Sequence, residues 1–478
     1  MTLALSEARR LDQQAQRQAR ADLGQVFTPA SIASFMASMF ELDDSSAATL
    51  LDPGAGTGQL AAAFAERWRA ESDSPLRVTA YELDDELWEP LSATLRETGC
   101  EFEVIGDEYV VDAMSRDVEY DYAILNPPYS KLASSSPIRR AVGVLVDAPN
   151  TYAAFVALAV HRLRQDGQVV AIIPRSFANG TYFESFRRFL LSQVAVLGIH
   201  VYDSRRSPFA DSAVLQEIVI VHLAKRPQPP FVEITSSPGP NEESSVRLVP
   251  FEEVVYPNDP EKFVHISPNA RDAEASLTVR SQPTSLPELG IAVSTGRVVD
   301  FRSKDMLRRD CGRGDAPLIY PQHLRQGRVV HPLDFRKYNG LARDESTEKL
   351  LLPNGNYVLV KRFSAKEERR RIVATVLRAT DLSSEVVAVE NHLNVFHAGG
   401  AGIDADLAFG LAVWLNSSIV DAAFRQFSGH TQVNASDLRS LRYPTSTCLR
   451  NIGAQVGAKV LDQDEVDSVI SDILRTAA

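Results

Sequence analysis

The chain has 478 residues, 44% of them hydrophobic and 23% charged, which excludes a collagen-like, coiled-coil or wholly disordered protein. No apolar run approaches the roughly 20 residues that span a bilayer, and the polar N-terminus has no apolar core, so neither membrane insertion nor a secretory signal is expected and the chain is assigned to the cytoplasm. The net charge of −12 argues by itself against nucleic acid, but it is uneven: residues 1–230 carry 21 Lys and Arg against 30 Asp and Glu, whereas 281–375 carry 18 against 11.

In chain order, residues 1–22 read as a helical extension. Seven β-like runs follow, at 49–52, 78–82, 102–105, 122–126, 169–173, 195–201 and 214–223, alternating with amphipathic stretches such as AAFAERWRA. Such alternation predicts an α/β domain over 23–230, with a seven-stranded, mostly parallel sheet covered on both faces. RPQPPFVEITSSPGPNEESS, rich in Pro, Ser and Gly, reads as a linker or surface excursion near 226–246. Less regular periodicity over 231–446 predicts a second, mixed α/β domain, and 447–478 reads as a helical tail. In the second domain Arg297, Arg302, Lys304, Arg325, Arg328, Lys337 and Lys361 can supply phosphate contacts. Charge alone fits a solvated face equally well. Cys100, Cys311 and Cys448 lie far apart and read as idle thiols.

The first chemical signal is LLDPGAGTGQLAAAF. A strand ends in Asp52 and Pro53, and Gly54, Gly56 and Gly58 form a tight turn into a helix. Glycines let backbone approach a ligand at the carboxyl edge of a parallel sheet. The third glycine of GxGxxG is missing, and Asp52 would repel a pyrophosphate, so a cationic, amino-acid-bearing ligand fits better than a dinucleotide. Glu82 ends the next strand, where a carboxylate typically binds ribose hydroxyls. IGDEYV ends the third: Asp107 or Glu108 can accept from an adenine amino group, with Tyr109 against the ring. Acids at three successive strand ends suit S-adenosylmethionine (AdoMet).

YDYAILNPPYSKL carries the reactive signal. A strand runs into Asn126, Pro127, Pro128 and Tyr129. The prolines fix the backbone and remove two donors, leaving the Asn126 side-chain oxygen and the Pro127 carbonyl as a pair of acceptors. An exocyclic amino group offers two matching hydrogens. Its lone pair is delocalised into the ring, and pulling on both hydrogens favours the pyramidal, nucleophilic form. Tyr129 offers a face on which a base can stack.

On these motifs, in the order FTP, DPxxGxG, E, D, NPPY, the chain resembles the gamma-class, Taq-type N6-adenine DNA methyltransferases of type II restriction–modification systems. The resemblance implies a Rossmann-like AdoMet-dependent methyltransferase fold with a target-recognition domain, and duplex DNA as substrate. It also implies a flipped target adenine, a monomer and a separate cognate endonuclease. Phe27 and Thr28 match the family's opening motif, with Thr28 at the position that binds the AdoMet carboxylate. Asp52 to Gly58 match the motif around the methionine moiety. Glu82 matches the ribose-binding acid, with Leu83 beside the adenine. Phe155 falls near the cofactor adenine, and Phe209 is the candidate second aromatic against the flipped base. GHTQVNASDLRSLRYP resembles the end of the recognition domain. No metal is expected; His392, His397 and His430 read as structural or base-contacting. A methyltransferase acting on rRNA guanine-N2 or a release-factor glutamine is the alternative, and a catalytically dead DNA-binding module is a further one.

Overall fold

The computed structural model describes residues 28–43, 46–202, 217–240, 242–267, 269–364, 368–428 and 432–477. The chain divides into two compact units, 1–268 and 269–478. The extension over 1–22 and the candidates Phe27, Phe209 and His430 lie outside the described residues.

In the first unit, helix α1 (Ala30–Ser38) precedes strand β1 (Ala48–Pro53), and then α2 (Gln59–Glu71), β2 (Leu76–Tyr81), α3 (Trp88–Thr98), β3 (Glu101–Ile105), α4 (Tyr109–Ser115) and β4 (Tyr120–Leu125) alternate. Next come α5 (Pro137–Val142), α6 (Thr151–His161), β5 (Leu163–Pro174), α7 (Glu184–Gln193), β6 (Ala195–Tyr202) and β7 (Ile218–Ala224). All seven expected runs are strands of one sheet, in the order β3-β2-β1-β4-β5-β7-β6. Only β7 runs antiparallel to its neighbours among these seven. The order reverses between β1 and β4, which opens a crevice at the carboxyl ends of the strands there.

Alternation along the strands sorts side chains to two faces. Leu51, Ala123, Leu125, Val169, Ala171 and Ile173 meet helices α4 to α7 on one face. Leu50, Tyr122, Ile124, Val170 and Ile172 meet α1, α2 and α3 on the other. Helix α6 is buried along residues 151–160, which explains why its sequence is apolar on every side.

The expected linker is instead part of the sheet. Strand β8 (Phe231–Ser237) pairs in parallel with β6, and β9 (Ser245–Pro250) closes the edge. The reason is a short alternation inside the Pro-rich stretch: Val232 and Ile234 are fully buried, while Phe231 is exposed. The first unit therefore runs to 268 rather than 230.

The second unit is mixed, as expected. A four-stranded antiparallel sheet takes the order Ala292–Thr295, Leu393–His397, Tyr357–Lys361, Ala374–Leu377. A five-stranded sheet is centred on Ala316–Ile319, which pairs in parallel with Val386–Val389. The residues read as a tail belong to this unit. Helix Ser446–Val456 lies so close on Ala405–Leu415 that a Cβ at Gly410 would sit 1.8 Å from the Leu449 carbonyl oxygen. The last helix, Gln463–Ala477, is amphipathic and buries Val466 and Ile470. Among the described residues no single helix is long and apolar enough to cross a membrane.

Candidate active site

The site begins where β1 ends. Gly54 and Ala55 donate their backbone N–H groups to the Tyr81 carbonyl (2.8 and 2.9 Å), which turns the chain over the end of β2. Gly54, Gly56 and Gly58 all hold positive φ (77°, 57° and 82°), and Gly58 caps α2. Asp52 is fully buried beneath this turn. One carboxylate oxygen accepts from the Ala61 N–H at 3.1 Å; the other has no hydrogen-bond partner among the described residues. Burial pushes the Asp52 carboxyl up to about 7, and the nearby Glu82 charge adds to the rise.

Glu82 does more than the sequence suggested. Its Oε2 accepts from the Gly56 N–H at 2.8 Å, so it braces the glycine turn, while Oε1 accepts from Asp84 at 2.9 Å. Burial raises its pKa as well. The Trp88 indole N–H donates to the Glu82 carbonyl at 2.8 Å and its ring lies against Gly106, where a Cβ would come within 2.1 Å. Trp88 is 41% exposed and Leu83 64%, so both leave apolar surface at this strand end. Trp88 was not singled out from the sequence; the available signal was a tryptophan six residues after the acid.

At the third strand end the two acids separate. Glu108 caps its own helix, accepting from the Val111 N–H at 2.8 Å, whereas Asp107 is exposed. Tyr109 is 2% exposed and packs between Tyr81 and Phe155, at ring distances of 5.0 and 5.1 Å. Phe155 also faces the turn: a Cβ on Gly54 would lie 3.7 Å from its ring.

Asn126 to Tyr129 leave the end of β4, next to β1. Asn126 is half-buried and held at both ends of its amide. Its Nδ2 donates to Thr28 Oγ1 at 2.9 Å, and its Oδ1 accepts from the Tyr129 hydroxyl at 3.1 Å. Thr28 stands just before α1, whose first turn is opened by the Pro29 carbonyl accepting from Ile32 and Ala33. Pro127 is buried, and the Pro128 carbonyl accepts from Thr151 Oγ1 at 2.6 Å. That bond and the one from Thr151 N–H to Ser130 (2.9 Å) tie the loop to the start of α6. The Tyr129 ring stands edge-on to Tyr152 at 6.2 Å, and burial pushes its hydroxyl pKa up.

The geometry thus brings Thr28, Asp52, Glu82, Asp107, Phe155 and Asn126 to the carboxyl edge of one sheet. Comparison with known proteins identifies the family. Residues 10–199 match the family model described as N-6 DNA Methylase. The type II methyltransferase M.PstI of Providencia stuartii is 40% identical over 475 residues, spanning 95% of this chain and 94% of that protein. M.BsuBI of Bacillus subtilis is 41% identical over 476 residues, with the same coverage. Among solved structures, the type IIL restriction–modification enzyme MmeI in complex with DNA matches 90% of this chain and 68% of its own, with a TM-score of 0.52 and 10% identity. Strand order, site and full-length similarity together make the chain a member of the type II N6-adenine DNA methyltransferase family.

Proposed function

We propose that this protein transfers a methyl group from AdoMet to N6 of a flipped adenine at a specific sequence in duplex DNA, as the modification half of a restriction–modification system. The observation that carries this is Asn126 at the end of β4, its amide fixed by Thr28 and Tyr129, one strand away from the glycine turn.

The residues present fit the cofactor. Asp52 keeps one buried carboxylate oxygen without a partner among the described residues, suited to a cationic or ammonium-bearing ligand. The positive-φ turn leaves backbone where side chains would intrude. Asp52 to Gly58 and Thr28 would hold the amino-acid end, Glu82 the ribose, and Leu83, Asp107 and Phe155 the adenine. Glu108 is spent on its own helix, which favours Asp107. AdoMet supplies an electrophilic methyl on a sulfonium that leaves as a neutral thioether.

Asn126 Oδ1 and the Pro127 carbonyl would accept the two N6 hydrogens. An amide oxygen has two acceptor positions, so the Tyr129 hydroxyl can stay on one while the amine takes the other. These acceptors stabilise positive charge as it develops on N6, and the surplus proton then leaves to water. Tyr129 and Phe209 would sandwich the base, which must leave the duplex to be reached. We further assign a monomer, a separate endonuclease and a cytoplasmic setting.

The test is Asn126→Ala with tritiated AdoMet and duplex DNA. Turnover should fall by about two to three orders of magnitude, the scale of losing one charge-stabilising group, with AdoMet binding nearly intact. Label transferred at the wild-type rate removes Asn126 from the chemistry, and label entering only RNA or protein sinks the DNA assignment.

A further inference from the structure

The second unit holds a pocket of about 330 Å³ lined by residues at the strand ends of its four- and five-stranded sheets, at the small end of the range for ligand sites. Its buried wall is Tyr320 and Glu390, 2% and 1% exposed. Its rim is Lys337, Lys361, Phe363 and His392.

These side chains are ordered as a reading surface. Glu390 is an acceptor on both oxygens: the His392 backbone N–H donates to Oε2 at 2.9 Å, and the His392 ring nitrogen Nδ1 bonds Oε1. A carboxylate accepts, so Nδ1 carries the proton, and with a single proton on the ring Nε2 is left as an acceptor. No partner holds Nε2 among the described residues, and the His392 side chain is half exposed. Phe363, also half exposed, packs on the imidazole at 5.0 Å and limits its rotation. Lys337 is fixed over the Tyr320 ring at 5.8 Å by Asp300, which also accepts from the Tyr320 hydroxyl at 2.7 Å. Lys361 makes no ion pair among the described residues. The rim therefore offers one fixed acceptor flanked by ammonium donors, beside an exposed aromatic face.

We infer that this pocket reads one base pair of the recognition sequence, distinct from the target adenine, with His392 Nε2 accepting from an exocyclic amino group and Lys361 donating to a neighbouring ring nitrogen or carbonyl. In a duplex groove an amino donor beside such acceptors is the edge pattern that identifies a base. The proposal rests on DNA being the substrate, as argued above. Glu390 is a positioning residue: it sets the tautomer that makes His392 an acceptor.

The experiment uses the full chain and the recognition sequence found by mapping its methylated sites. Duplexes differing from that site at one base pair each are methylated by wild type, His392→Ala, Glu390→Gln and Lys361→Gln, with kcat/KM as readout. His392→Ala should lower discrimination at a single position by about 5- to 100-fold, the range for one lost base contact, and leave the other positions unchanged. Glu390→Gln should relax the same position, because an amide no longer dictates the proton on Nδ1. Discrimination within twofold of wild type at every position overturns the inference, and so does an equal loss on all sequences. Should Glu390→Gln unfold, the half-exposed His392 still decides. Wild-type enzyme that methylates no duplex DNA defeats this inference and the function it rests on together. A sequence-specific wild type with an unaltered His392→Ala defeats this inference alone.

Discussion

Asn126 and Thr28 lie 98 residues apart and meet at 2.9 Å. A primary amide is nearly symmetric in shape, so something must decide which end faces the substrate. Thr28 accepts from Nδ2 and the Tyr129 hydroxyl donates to Oδ1, and together they hold the amide in the orientation that the proposed reaction needs. Thr28→Val removes that acceptor at constant volume, and kcat should fall by about tenfold or more at saturating AdoMet, the order expected when a reacting group loses its orientation. Thr28→Ser should restore it. Equal kcat in Thr28→Val and wild type would show that Asn126 is oriented by other contacts. No pattern in the sequence announced this pair: FTP and NPPY were each legible, but their hydrogen bond depends on how α1 is laid against the sheet.

Asp52 makes a second claim at this scale. Burial and Glu82 hold its carboxyl at about 7, so it is largely protonated below neutrality. A cationic ligand favours the ionised form, and binding then expels a proton. AdoMet affinity should rise with pH up to about 7 and level off above it, by at most about tenfold per unit. Calorimetric titration at pH 6, 7 and 8 checks this. Asp52→Asn should abolish the slope; an equal slope in that variant would assign the proton to another group.

The strands were legible because each carries a short apolar run bounded by turn chemistry, and the helices between them because their apolar residues recur on one face. What misled was composition. Five prolines and a glycine around β8 hid an alternation only a few residues long, and a sheet edge needs no more than that. The glycine turn shows how closely one element constrains another. A Cβ on Gly58 would meet the Leu91 side chain of α3 at 2.8 Å, whereas one on Gly54 would only touch Phe155 at 3.7 Å. Both hold positive φ, a strain of order 1 kcal/mol or more for any other residue. Thermal unfolding should therefore rank Gly58→Ala below Gly54→Ala, and both below wild type by a few degrees. A Gly58→Ala protein that melts with wild type would mean that α2 and α3 separate easily.

Across the whole molecule the chemistry is divided between the units. The first is acidic and carries the proposed cofactor and amine sites on one sheet edge. The second contains the basic stretch 281–375, where Arg297, Arg302, Lys304, Arg325, Arg328 and Lys337 are exposed. The catalytic unit was readable because its motifs sit at strand ends in a fixed order. The second was not, because base contacts depend on which side chains reach a groove. His392 shows this: alone in the sequence it was one of several scattered histidines, and only Glu390 and Phe363 give it a direction.

The most direct measurement is to express the chain in a host free of DNA methylation and to sequence the modified bases in the genome. N6-methyladenine at a single short sequence, absent when Asn126→Ala is expressed instead, is the expected result. Methylation on cytosine, on adenine without regard to sequence, or undiminished in the Asn126 variant would contradict it.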